Sequence, residues 1–157
     1  MLKVLKFGEI KFDFEYDEKT ISALEKSSYV YFVLSDTQVE YKHEKSRVIY
    51  IGKTTSNAWE MLTSGFAYGG LVVGIIEKKI KQVCNSCSFY FTAIEESGSP
   101  DDAERAFLYL FKEIYGDIPK CNTQGSGYGE EVMEEFERKF NVSREELKKI
   151  LRGLETM

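Results

Sequence analysis

Residues 29–34, Tyr29-Val30-Tyr31-Phe32-Val33-Leu34, and residues 48–52, Val48-Ile49-Tyr50-Ile51-Gly52, decide the fold. Both are runs of β-branched and aromatic side chains, which suit the pleated, half-buried surface of a strand. The stretch between them, Ser35 to Arg47, is polar and charged and reads as a long hairpin connection. If the hairpin is symmetric about that connection, Tyr31 and Tyr50 face each other as a cross-strand pair, with two phenols on one face. Ser88 to Glu95 supplies a third strand, so the core is a small antiparallel sheet.

Toward the N-terminus, Ile10-Lys11-Phe12-Asp13-Phe14-Glu15-Tyr16 alternates apolar and charged residues with the period of a half-buried strand. Leu2 to Phe7 pairs with it through a turn at Gly8-Glu9, and Thr20 caps a short helix carrying Ile21 and Leu24. Beyond the second core strand, Ser56 to Leu62 reads as a short helix, Gly65 to Gly70 as a break and Leu71 to Val83 as a second helix. Ser99-Pro100-Asp101-Asp102 is a helix start, with Ser99 at the cap, Pro100 at the first helical position and acids at the positive dipole end. That helix stops near Gly116, and Gly125 to Gly129 reads as a connector. Two more helices follow, Glu130 to Phe140 and Ser143 to Leu154, the last with Ser143 and Glu146 at capping-box spacing.

The fold class is therefore α+β, an α/β sandwich: a three-stranded antiparallel core sheet flanked by helices, with an N-terminal β-hairpin and a C-terminal helical extension. Residues 1–27 form the first extension, 28–122 the core domain and 123–157 the second extension.

Composition bounds the function. With 157 residues, 43% hydrophobic and 30% charged, the chain can bury one core and is not of a disordered class. Its longest uncharged apolar stretch, Leu71 to Ile76, is far short of the roughly 20 residues that span a bilayer. Lys3, Lys6, Glu9 and Lys11 interrupt the N-terminus before a secretory apolar run can form, and three Cys without such a signal fit a reducing cytoplasm. The net charge of -5 gives no global basic field for nucleic acid. The acidity is concentrated near the ends, above all in Glu130, Glu131, Glu134, Glu135 and Glu137, whereas Ser28 to Ser97 carries seven basic and seven acidic residues. A near-neutral centre leaves room for a local phosphate site.

The helix after Ser99 contains one carboxylate in an unusual position. At roughly 100° per residue, Ala103, Phe107, Leu110 and Ile114 define an apolar arc, widened by Leu108, Phe111 and Tyr115. Glu104 projects within that arc, while Asp102, Arg105, Lys112 and Glu113 project away from it. An unpaired carboxylate on a core-facing side is costly, so Glu104 needs either a structural cation or a function.

Taken in order, Tyr29-Val30-Tyr31, Tyr50-Ile51-Gly52-Lys53, the helical Ala103-Glu104-Arg105 and Pro119-Lys120-Cys121-Asn122 resemble the GIY-YIG nuclease superfamily. The resemblance covers roughly Ser28 to Asn122. It implies a metal-dependent DNA endonuclease, with Tyr31 and Tyr50 as the strand tyrosines that help activate water and Lys53 as the Lys that follows the second motif. It further implies Glu104 as ligand of one divalent ion, Mg2+ or Mn2+, Asn122 as the closing polar group, and DNA as partner. Hydrolysis of a phosphodiester needs a positioned water and positive charge near the phosphoryl oxygens. The family's Arg on the helix after the second motif is absent, since no Arg occurs between Arg47 and Arg105. The substitutes offered by the sequence are Lys53, Lys78 and Lys79, none with the bidentate fork of Arg. A catalytically inactive version of the fold, binding nucleic acid, a protein partner or a second copy through the C-terminal helices, is the alternative. An unrelated α+β interaction domain is the third reading.

Other motifs carry less. Gly52-Lys53-Thr54 resembles the tail of a phosphate-binding loop, but Arg47 stands where that motif needs Gly. Cys84-Asn85-Ser86-Cys87 has metal-ligand spacing, and Cys121 and His43 could complete a set. With no second such pair and no adjacent His, the three read as reduced thiols.

Overall fold

A computed structural model of the chain describes residues 2–7, 14–15, 28–54, 78–94 and 99–156. Five strands form one antiparallel sheet: β1 (Leu2–Phe7), β2 (Phe14–Glu15), β3 (Ser28–Glu40), β4 (Lys45–Thr54) and β5 (Cys87–Ile94), in the order β2-β1-β5-β3-β4. Core strands β3, β4 and β5 match the expected three, and the N-terminal hairpin continues the same sheet through β1 beside β5. Three helices follow: α1 (Pro100–Tyr115), α2 (Glu130–Phe140) and α3 (Arg144–Leu154). Residues 78–83 are also helical. The expected turn at Gly8-Glu9, the helix after Thr20, the helix Ser56 to Leu62, the break at Gly65 to Gly70 and the start of the helix from Leu71 lie outside the described residues.

The long connection expected over Ser35 to Arg47 is largely strand. β3 runs on to Glu40 and β4 begins at Lys45, with Glu40 opposite Lys45, so residues 41–44 alone make the turn. The sequence misled because Asp36, Thr37, Gln38 and Glu40 are exposed. A ribbon with water around it shows no apolar alternation, and its strand character comes from backbone pairing alone. Arg47 Nε donates to the Ser35 carbonyl at 2.9 Å and Tyr41 Oη to that of Val48 at 2.8 Å, tying the ribbon base together.

One sheet face packs on α1. Phe32 meets Phe107 edge-on with ring centroids 5.0 Å apart, and Val30, Leu34 and Ile51 are fully buried beside them. Burying each such side chain contributes roughly 1.5–3 kcal/mol. α1 behaves as its arc requires: Ala103, Phe107, Leu110 and Phe111 are buried, and Gly116 closes it in the left-handed region with φ 91°. Ser99 is the N-cap residue by backbone conformation, and its side chain makes no capping bond. At α3, Ser143 accepts from the Glu146 N–H at 3.3 Å, one half of the expected capping box.

The C-terminal helices join the same core through Met133, Phe136, Leu147, Leu151 and Leu154. Past α3, the Glu155 carboxylate accepts from Ser46 Oγ, from the Arg47 N–H at 3.0 Å and from Tyr115 Oη at 3.2 Å. Arg152 makes two bonds to Glu44, at 2.7 and 3.0 Å. These contacts clamp α3 and the residue after it to the turn and the first residues of β4, over a hundred residues away in sequence. Among the described residues, no helix is long and apolar enough to cross a membrane.

Candidate active site

The two strand tyrosines meet, though not in the symmetric register. Tyr31 stands opposite Gly52, and Tyr50 stands opposite Val33. The expected direct pair is therefore replaced by a diagonal one, two positions apart. An even shift keeps both side chains on one face, so the phenols still converge. Their ring centroids lie 5.7 Å apart at 40°. The pairing then jumps to Leu34 opposite Val48, which leaves Ile49 as an extra residue on β4 and ends the clean ladder just beyond the tyrosines.

Gly52 makes that convergence possible. A Cβ there would fall 2.5 Å from Tyr31 Cζ, 2.6 Å from its hydroxyl and 2.6 Å from Tyr50 Cε1. The Tyr31 ring thus lies across the bare Gly52 backbone, in space any other residue would fill. A Gly inside an otherwise β-branched strand is the sequence signal for such a close approach. Tyr31 is 4% exposed, and burial raises its phenol well above the usual tyrosine range, with Tyr50 and the Glu104 charge adding to the shift. Burial also raises Tyr50, its hydrogen bond with Tyr31 opposing and Glu104 adding. Both phenols therefore keep their protons at neutral pH and act as hydrogen-bonding groups.

Glu104 supplies the acid. It is half-buried, and among the described residues it makes no hydrogen bond and no ion pair. Burial pushes its carboxyl above the ordinary carboxylate value, with Lys53 and then Arg105 pulling the other way. Its charge is felt by both tyrosines. Two phenols and two cations, from three separate elements, thus each interact electrostatically with Glu104.

Lys53 is anchored in an ion pair with Asp101, in the first turn of α1. Sequence reading did not single out Asp101 for this; helix-start acids are expected from the dipole alone. Arg105, placed by helical projection on the outer side, is half-exposed with a loose 4.0 Å contact to Asp102, whose other oxygen takes Lys139 at 3.0 Å. A long side chain near a helix start reaches charges its Cβ direction points away from. Lys78 and Lys79, the other expected substitutes, are not among the charges acting on Glu104; Lys79 acts on Cys121.

Asn122 contacts the backbone of the strand. Its Oδ1 accepts from the Ile51 N–H and its Nδ2 donates to the Ile51 carbonyl, both at 2.9 Å, while the Cys121 N–H donates to the Ile49 carbonyl at 2.8 Å. Residues 121–122 therefore satisfy the outer edge of β4 at the tyrosine motif. The side chain expected to close the site holds the strand that carries it. Asn122→Ala is expected to cost about 1–3 kcal/mol for each Ile51 group left unpaired, read as a fall in the urea midpoint with unchanged slope.

The residues weighed as a zinc set do not assemble among the described residues, where no group of three His, Cys, Asp or Glu has metal-holding geometry. His43 is exposed beside Gly116, at the opposite end of α1 from Glu104. Comparison of the chain with protein-family models, with curated proteins and with solved structures finds no match in any of the three.

Proposed function

We propose that the chain is a divalent-metal-dependent DNA endonuclease of the GIY-YIG kind, centred on Tyr31, Tyr50, Lys53 and Glu104. The observation that carries this reading is Glu104: a half-buried carboxylate that engages no structural partner among the described residues, set beside two hydrogen-bonded phenols. A carboxylate kept at a cost in solvation and left unpaired is the kind of group that binding or catalysis uses. The choice of DNA rests on the sequence resemblance.

The donor set suits one hard cation. Mg2+ binds through one or two carboxylates, keeps several waters and takes its remaining ligands from phosphate, so a single free carboxylate such as Glu104 is a sufficient protein ligand. Such an ion would supply positive charge to the phosphoryl oxygens. Lys53 and Arg105 add positive charge beside Glu104, and Arg105, loosely held, is free to turn toward a phosphate. The neutral phenols orient the attacking water, one accepting from it and the other fixing its partner through the Tyr31–Tyr50 hydrogen bond. Three free thiols suit a reducing, cytoplasmic setting.

The second reading is a catalytically inactive module of the same fold that binds nucleic acid or a protein partner. It is favoured by the engagement of Lys53 with Asp101 and by the lack of any Arg from 48 to 104. Purified protein incubated with duplex, single-stranded and branched DNA in Mg2+ or Mn2+ separates the two. Cleavage that EDTA stops supports the enzyme. Salt-dependent retention of DNA with no cleavage in either metal supports the binding module. Neither cleavage nor retention at low salt overturns both nucleic-acid roles and leaves a protein partner.

A further inference from the structure

The C-terminal helices reach the proposed site through one side chain. Met133 and Phe136 of α2 are buried in the core cluster that holds Ala103, Ala106 and Phe107 of α1. Lys139 follows Phe136 by three positions and so lies on the side of α2 that faces α1. It crosses to the first turn of α1, where its Nζ donates to Asp102 Oδ2 at 3.0 Å. Glu135, one turn back on α2, steadies it at 3.1 Å. The other oxygen of Asp102 faces Arg105 Nη1 at 4.0 Å, too long for a hydrogen bond.

One carboxylate thus stands between two cations, and the nearer comes from the distant helix. The Asp102 side chain is only 13% exposed and needs a cation, whereas Arg105 and Lys139 are about half-exposed. An Arg three residues after an Asp on one helix is spaced to pair with it. Lys139 takes that partner's charge, which leaves Arg105 with one loose ion-pair contact among the described residues. Lys53, by comparison, is engaged by Asp101. Arg105 directly follows Glu104, so its planar fork stays beside the proposed site with its donors uncommitted.

We propose that Arg105 grips a phosphate of the DNA strand and that Lys139 is a positioning residue, neutralising Asp102 so that Arg105 does not pair with it. The proposal rests on the nucleic-acid reading of the site given above. It gives the C-terminal extension a task at that site, carried by an ion pair between helices. Without Lys139, Asp102 turns to its neighbour on α1, and the guanidinium meets that carboxylate in place of the phosphate. Both are charge-assisted contacts of the same donors, so one excludes the other.

The test follows the fluorescence anisotropy of a labelled DNA duplex across a salt series. Every variant is built on Glu104→Gln, so that nothing is cut and no metal is needed. Arg105→Gln should weaken binding by about tenfold and lower the salt slope by about 1. Lys139→Gln should weaken binding in the same way, and Lys139→Arg should not. Lys139→Gln together with Arg105→Gln should bind no worse than Arg105→Gln alone, because Lys139 acts through Arg105. A second readout needs no DNA. NMR of the arginine Nε–H groups should show Arg105 gaining order in Lys139→Gln and losing it again when Asp102→Asn is added. Unchanged binding in Arg105→Gln, a Lys139 effect that persists without Arg105, or Arg105 order that ignores Lys139 would each overturn the proposal. If the unaltered chain still cleaves DNA in Mg2+, the nuclease reading stands and this proposal alone falls. No DNA retention at low salt, by the unaltered chain and by Glu104→Gln alike, overturns both.

Discussion

Glu104→Gln is expected to abolish metal-dependent DNA cleavage, with the rate falling by on the order of a hundredfold or more, while the protein keeps its fold. Gln retains the shape of the side chain and removes the charge, so lost activity with retained structure assigns the effect to the carboxylate. Stability should move the other way. Burial raises the Glu104 carboxyl above its ordinary value of 4.5, so the folded chain holds this proton in a pH window where the unfolded chain has released it. Stability contributed by this group therefore falls as pH rises through that window and stays low at neutral pH. Glu104→Gln lacks this penalty. Urea denaturation of both proteins from pH 4 to 8 should show the variant gaining on the parent as pH rises. A variant less stable than the parent at pH 7, by a margin that grows with pH, would mean that Glu104 is a structural anion after all and would remove the cation site.

Gly52→Ala is expected to damage both stability and activity. The new Cβ would lie 2.5 Å from Tyr31 and 2.6 Å from Tyr50, closer than real Cβ contacts come. Tyr31 is buried, and at such separations the two rings or the strand must shift. Overpacking of this kind costs about 1–3 kcal/mol. Displaced phenols should also slow cleavage by on the order of tenfold to a hundredfold, because angstrom-scale misplacement of positioning groups is enough for that. Gly153→Ala is the control. It lies in α3, its Cβ would meet nothing within 4 Å, and the change should stabilise by up to about 1 kcal/mol. Thermal melts of the two variants should move in opposite directions. Equal melts for Gly52→Ala and the parent would show that the tyrosines do not need the bare backbone.

Much of the scaffold was legible in residues that act locally. α1 could be placed from Pro100 at one end and Gly116 at the other, with an apolar arc between, because caps and periodicity are properties of a single helix turn. The core strands were visible because their side chains are β-branched and aromatic. The β3–β4 ribbon was not, since Asp36 to Glu40 has no buried face to impose a pattern. The expected symmetric register of Tyr31 and Tyr50 failed for a related reason. A connection read as a loop carries no register, and the bulge at Ile49 is a compromise between strands that neither strand encodes alone.

The sequence by itself determined the three core strands, the amphipathic helices α1 to α3 and a short roster of chemistry-bearing residues: Tyr31, Tyr50, Lys53, Glu104 and Asn122. Only the tertiary structure decided how they are used. Lys53 finds Asp101, Asn122 grips the Ile51 peptide, Glu104 is left without a hydrogen bond or ion pair among the described residues, and Tyr31 crosses Gly52. The physical reason is range. Hydrogen-bonding capacity, charge and apolar periodicity belong to each residue, whereas burial and partner choice depend on which distant segments come within a few ångströms, and chain spacing carries no record of that.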